Sequence, residues 1–305
     1  MNNHWTRVIL GIVFAAVVAG LLWLDWYLRH ALPAGLVLMV PLAALIGLAT
    51  VEAVRLCRAA GADPSMPWTV LSSMAVVVFG WLALTDRSGG SVGLWIMLLV
   101  LAMLAPPFIR EGFRRDLTNA LPSIAASVFC VVYAGLMGFL ILFIGVGFTA
   151  AWLAVFIASA KLTDVGAYLV GRQFGRHKLA PVISPKKTVE GAIGGLVFGV
   201  AAAWLGVGII RSLVGPSLGV LGYPKGLVAG TIAVLLFGLV VSVAAQLSDL
   251  AESILKRSAK LKDSATSVPG FGGVLDLVDS LLLSAPVAVL YLVVIYWVRY
   301  SAGGL

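Results

Sequence analysis

Carboxylates and clustered lysines stand out in this sequence, in three groups set inside otherwise apolar stretches. The first is Lys161-Leu-Thr-Asp164-Val-Gly-Ala-Tyr168. A charge in hydrocarbon costs several kcal/mol unless it is paired or hydrated, so an ionisable residue there is a functional candidate by default. Lys161 and Asp164 are three apart and meet on one face of a helix. A purely structural ion pair is the plain alternative. The second group is Ser184-Pro185-Lys186-Lys187-Thr188, in the polar stretch between Gly171 and Gly191. Ser184-Pro185 reads as a helix start, with Ser as N-cap and Pro as first helical residue. Lysines in a first turn oppose the helix dipole, at roughly a few tenths of a kcal/mol each. Two adjacent ones make sense where an anion such as a phosphate is held, although ordinary loop charge would also place them there. His177 reads as a loop residue or a phosphate contact.

The third group is Gln246-Leu-Ser-Asp249-Leu-Ala-Glu252-Ser253-Ile-Leu-Lys256-Arg257, followed by Pro269-Gly-Phe271-Gly272-Gly273-Val-Leu-Asp276-Leu-Val-Asp279. Positions 246, 249, 253 and 256 share one helical face. Asp276 and Asp279 lie one turn apart at the start of another helix, where helix capping alone would also favour acidic groups. Carboxylate oxygens suit Mg²⁺, which keeps several waters and bridges to substrate phosphates. No Cys/His cluster suggests zinc. Cys57 and Cys130 have no metal-ligand spacing and make a disulfide framework unexpected. The composite is that of metal-assisted phosphoryl or nucleotidyl transfer at a membrane surface.

The elements that must position these groups are membrane helices. The chain has 305 residues, 61% hydrophobic and only 11% charged, with a mean hydropathy of +1.07. A soluble domain is about a quarter charged, so a soluble enzyme, a disordered chain and a coiled coil are excluded, and long apolar runs exclude a β-barrel. The expected fold is all-α, a polytopic membrane protein of about nine spans with no soluble domain. The spans fall near 8–28, 32–54, 67–84, 92–109, 121–144, 148–170, 191–213, 226–251 and 280–298, the first read as a retained helix and not a cleaved signal. Gly191, Gly195 and Gly199 have the spacing of close helix packing. With the N-terminus and the even loops on one side, that side holds 15 Lys and Arg against 5 on the other, which places it in the cytoplasm. The net charge of +8 then reflects topology and anionic lipid; no basic soluble segment exists to bind nucleic acid. Seven of the 13 acidic residues lie in the second half. Residues 1–145 therefore read as scaffold, and 146–305 as the catalytic region with motif loops 172–190 and 253–279.

The second-half motifs resemble the phosphatidate cytidylyltransferase (CDP-diacylglycerol synthase) family. The resemblance rests on Ser253, Lys256, Arg257, Lys262, Asp263, Pro269, Gly272, Gly273, Asp276 and Asp279 at the family's spacing. Asp164-x-Gly166-Ala167-Tyr168, Gly175-x-His177-Lys178-Leu179-Ala180-Pro181, Ser184-Pro185-Lys186-Lys187-Thr188 and Gln246-x-x-Asp249 extend it upstream. It covers roughly residues 160–285. Phe271 stands where the family usually has His, and Leu277 where it usually has Arg. The resemblance implies that CTP and phosphatidic acid give CDP-diacylglycerol and pyrophosphate at a bacterial-type inner membrane, with the site facing the cytoplasm. It implies Mg²⁺ held by Asp249, Asp276 and Asp279, with a second metal ion, even a monovalent one, left open, as is a homodimer. Asp249, Asp276, Lys256, Arg257 and Asp164 are the implied catalytic groups. Ser184, Lys186, Lys187, Thr188, Gln246, Glu252, Gly272 and Gly273 are the implied nucleotide-binding groups. A CTP-dependent polyprenol or phytol kinase and a secondary transporter are the competing readings.

Overall fold

The computed structural model describes residues 3–86, 91–114, 117–214, 227–262, 264–265 and 272–301. Asp263, Pro269 and Phe271 lie outside them. Helices α1 (Asn3–Leu28), α2 (Leu36–Ala59), α3 (Met66–Thr85) and α4 (Val92–Gly112) come first. The next span, Ala120–Phe148, joins α5 (Ala120–Cys130) and α6 (Met137–Phe143) through one π-helical stretch and ends in another. Then come α7 (Ala150–Phe174), strands β1 (Lys178–Ala180) and β2 (Ser184–Thr188), α8 (Val189–Val214), α9 (Leu227–Ser258), α10 (Val274–Leu282) and α11 (Ser284–Ser301). Eight helical segments of the described chain are long and apolar enough to cross a bilayer, and Val13–Leu28 within α1 is a shorter apolar helix. The protein is an all-α polytopic membrane protein. Trp23, Trp26, Trp68 and Trp297 are exposed near span ends, where amphipathic rings sit at the headgroups.

The chain forms two compact units, with boundaries inside α9 and α10. The first comprises residues 1–146 and 255–278. Ile46, Ala49 and Val54 of α2 and Val76 and Val77 of α3 are wholly buried in it. The face of α4 that carries Ile96, Met97, Leu101 and Leu104 is exposed, as a helix bathed in lipid requires. The α2–α3 loop is tied to the end of α4: Arg110 and Arg114 each reach Asp63 Oδ2, at 3.2 and 3.1 Å. Burial pushes the Asp63 carboxyl up, but the bond from Arg110 and the charges of Arg110, Arg114 and Arg58 outweigh it and hold the group below its ordinary value.

The second unit comprises residues 147–254 and 279–305. Thr149 caps α7, its Oγ1 accepting the Trp152 N–H at 3.2 Å. Helices α7 and α8 pack along the 191/195/199 stripe, as its spacing predicts. A Cβ on Gly191 would lie 2.8 Å from the Ala167 carbonyl oxygen, and one on Gly195 2.9 Å from that of Thr163. The Ser159 hydroxyl donates to the Gly199 carbonyl across the same seam at 2.9 Å. Trp152 and Phe237 fill the core, ring centroids 4.9 Å apart.

One local expectation is corrected. Ser184 does not cap a helix. Residues 184–188 form β2, paired antiparallel with β1 in the register Lys178↔Thr188 and Ala180↔Ser184. The cap falls four residues later: the Gly191 N–H donates to Thr188 Oγ1 at 3.1 Å, and α8 begins at Val189. Pro185 has no N–H to give, which a two-stranded hairpin tolerates because half of each strand's edge is unpaired. The two lysines thus sit in an extended segment, not in a helical first turn.

Candidate active site

Alternation along β2 sends successive side chains to opposite faces, and this separates the lysine pair. Lys186 is exposed, whereas Lys187 is half-buried, with its ammonium 2.6 Å from Asp249 Oδ2 on α9. Glu190, in the first turn of α8, accepts the backbone N–H groups of Arg176 and His177, at 3.0 and 3.2 Å, and lies 2.6 Å from His177 Nδ1. His177 therefore helps close the hairpin onto the helix. The capping of α8 and this tie fix where β2 delivers Lys187.

On α7, Lys161 and Asp164 meet as their spacing requires, at 3.5 Å, and Lys161 Nζ also donates to Ser280 Oγ at 2.8 Å. On α9, Gln246 Nε2 donates to the Ala192 carbonyl at 3.1 Å, a polar link to α8. One turn on, Asp249 and Glu252 project together, three residues apart. Asp279 joins them, so that one ligand oxygen from each of Asp249, Glu252 and Asp279 lies within 4.8 Å of the others. Glu252 is wholly buried and Asp279 nearly so. Ser248 holds the junction of α10 and α11 by donating to the Asp279 carbonyl and accepting the Leu283 N–H at 3.0 Å. Beside this group opens a cleft of about 390 Å³, lined by Asp164, Tyr168, Lys186, Lys187, Gln246 and Asp249, among others.

The remaining candidates belong to the first unit. Asp276 Oδ1 accepts Lys256 Nζ at 2.7 Å, and its Oδ2 accepts the Gly273 N–H at 2.6 Å and lies 2.8 Å from Ser264 Oγ. The third helical residue reaching back to the N-cap amide is one half of a capping box. Gly272 has φ +99°, a conformation that L side chains rarely adopt. A Cβ on Gly273 would run into Ser264 Oγ and the Glu52 carboxylate. Arg257 is exposed and donates to the Leu261 carbonyl at 3.3 Å, closing the turn after α9. Leu277 is half-buried on α10. Among the described residues, the carboxylates gathered as one potential ligand group are Asp249, Glu252 and Asp279, while Asp276 is paired with Lys256.

Glu52 is the residue that sequence reasoning passed over. It lies in α2 and is 2% exposed. Its carboxylate accepts the Val274 and Leu275 N–H groups, at 2.9 and 2.8 Å, and Ser264 Oγ at 2.8 Å. A lone acid in a 24-residue apolar helix was the signal available, since intramembrane carboxylates are seldom idle.

Three buried or half-buried carboxylates drawn together could hold a cation, and all-oxygen donors are those of a hard divalent ion. The residues fit such an ion.

Comparison with known proteins identifies the family. The model of the cytidylyltransferase family matches residues 5–295. A phosphatidate cytidylyltransferase of Mycobacterium bovis is 31% identical over 265 residues, 83% of this chain and 78% of that one. The enzyme of that name from Bacillus subtilis is 43% identical over 124 residues, 41% of this chain and 40% of its own length. That from Staphylococcus haemolyticus is 42% identical over 125 residues, 41% of this chain and 42% of its own. Neither the lipid-kinase nor the transporter reading gains support from these matches. With the family model spanning nearly all the chain and a relative 31% identical along 83% of it, this protein belongs to the cytidylyltransferase family.

Proposed function

We propose that the chain catalyses cytidylyl transfer from CTP to phosphatidic acid, forming CDP-diacylglycerol and pyrophosphate at the membrane surface. The observation that carries the reading is the cleft in which Lys187 pairs with Asp249 beside the Asp249–Glu252–Asp279 group. Lysine and carboxylates together in a cleft among apolar helices suit a phosphate-rich nucleotide and an anionic lipid. The lipid's phosphate oxygen attacks the α-phosphorus of CTP. One P–O bond forms, the bond to the β-phosphate oxygen breaks, and pyrophosphate leaves with the electron pair. The nucleophile is already anionic, so no general base is needed. Mg²⁺, when bound, would supply charge neutralisation between the two anions and stabilise the leaving pyrophosphate. Asp249, Glu252 and Asp279 would hold it. Lys186 and Lys187 would hold phosphate oxygens, and Asp164, Tyr168 and Gln246 would line the nucleotide's place. In this reading Lys187 exchanges its carboxylate partner for a phosphate when substrate enters. The site faces the cytoplasm.

The test is purified protein in lipid nanodiscs with Mg²⁺, phosphatidic acid and CTP labelled at the α-phosphate. Label should move into the lipid phase and require Mg²⁺. Transfer from γ-labelled CTP instead would assign a lipid kinase and overturn the reading, as would no transfer of either label.

A further inference from the structure

The first half of the chain supplies one group whose geometry is too specific for a scaffold. We propose that Glu52 is a positioning residue for the transfer reaction: from α2, it caps the N-terminus of α10 and sets the direction of the helix that carries Asp276 and Asp279. This rests on the cytidylyl-transfer reading above.

Four observations support it. Both oxygens of the buried Glu52 carboxylate are committed, one to the Val274 amide and the other to the Leu275 amide and Ser264 Oγ. These amides are the first two of α10, the donors that a helix leaves unsatisfied at its start. A carboxylate there also meets the positive end of the helix dipole. Ser264 Oγ is equally close to Asp276 Oδ2, so a single hydroxyl proton links the cap to the carboxylate that pairs with Lys256. Gly273 leaves no room for a side chain between them, so the N-cap position offers the Val274 and Leu275 amides no side-chain acceptor, and they take one from Glu52, 222 residues from Val274 in sequence. The Glu52 bonds tie down the first turn of α10. Without them its first turn is free to fray, and Asp276 loses the Ser264 link.

The experiment uses the full chain in nanodiscs, comparing wild type with Glu52→Gln and Glu52→Asp. Gln keeps the size but loses the charge and can accept at only one end. Asp keeps the charge but is shorter by one methylene. Three readouts are taken on folded, monodisperse protein: hydrogen exchange of the Val274 and Leu275 amides, the Mg²⁺ concentration for half-activation, and kcat and KM for CTP. Glu52→Gln should speed exchange at those amides by on the order of tenfold, with α7 and α8 unchanged. It should also raise the Mg²⁺ requirement several-fold and lower kcat on the order of tenfold with KM for CTP little changed. Glu52→Asp should recover part of each effect. Unchanged kcat and Mg²⁺ requirement in folded variants would overturn the proposal. So would failure of both variants to fold, which would make Glu52 a structural anchor alone. An inactive wild type would instead overturn the cytidylyl-transfer reading.

Discussion

At the scale of single residues, the two adjacent lysines are not equivalent, because a strand turns neighbours to opposite faces. Lys187 is paired with Asp249, whereas Lys186 is exposed at the rim of the cleft. Lys186→Met is expected to raise KM for CTP roughly fivefold, the equivalent of about 1 kcal/mol for an exposed charge contact, with kcat near normal. Lys187→Met strands a carboxylate in the acidic group, and leaving a half-buried group without its partner costs on the order of 1–3 kcal/mol. Its kcat should fall by at least tenfold, and its Mg²⁺ requirement should change because Asp249 has lost its standing counter-charge. Steady-state kinetics of the two single variants decide the matter. Equal effects from both lysines would refute the division of labour that the strand register implies.

The helix seams are where substitutions should separate packing from propensity. Gly195 and Gly208 both lie in α8, and alanine is the better helix former by about 1 kcal/mol at either. At Gly208 nothing lies within 4 Å of the added carbon, so Gly208→Ala should leave stability unchanged or slightly higher. At Gly195 the carbon would meet the Thr163 carbonyl oxygen at 2.9 Å and Gln246 Nε2 at 3.2 Å. Gly195→Ala should therefore destabilise by roughly 1–3 kcal/mol, the usual cost of overpacking, and lower activity by shifting Gln246. Thermal unfolding in detergent measures both. Similar melting temperatures for the two would mean that the α7–α8 seam is looser than its distances indicate.

For the whole molecule, the count of crossings decides where the ends lie. Eight segments of the described residues are long enough to cross, and the first helix contributes the shorter apolar stretch Val13–Leu28. If α1 also crosses, nine crossings put the termini on opposite sides; if it lies along the surface, eight put them on the same side. The 15-to-5 charge bias argues for a cytoplasmic N-terminus, and we expect an external C-terminus. An alkaline phosphatase fused after Leu305 should be active and a green fluorescent protein there dark. The reverse result would remove α1 from the set of spans.

Composition and span length by themselves determined the all-α membrane fold, because a chain with so few charges can satisfy its backbone only inside helices in lipid. The Lys161–Asp164 contact and the glycine seam were also legible, since both follow from helical periodicity within single elements. So was the family, from the spacing of the second-half motifs. Three features were decided only in three dimensions. Ser-Pro-Lys-Lys reads as a helix start on local preference, but pairing with β1 took the segment into a strand and moved the cap to Thr188. Asp276 and Asp279 are chemically alike in sequence. The fold commits one to Lys256 and the Gly273 N–H and brings the other to Asp249 and Glu252. Glu52 lies more than 200 residues from the amides it caps. Local preference reaches only a few residues along the chain, whereas a buried carboxylate's partners are whatever donors the packed helices bring within hydrogen-bonding distance.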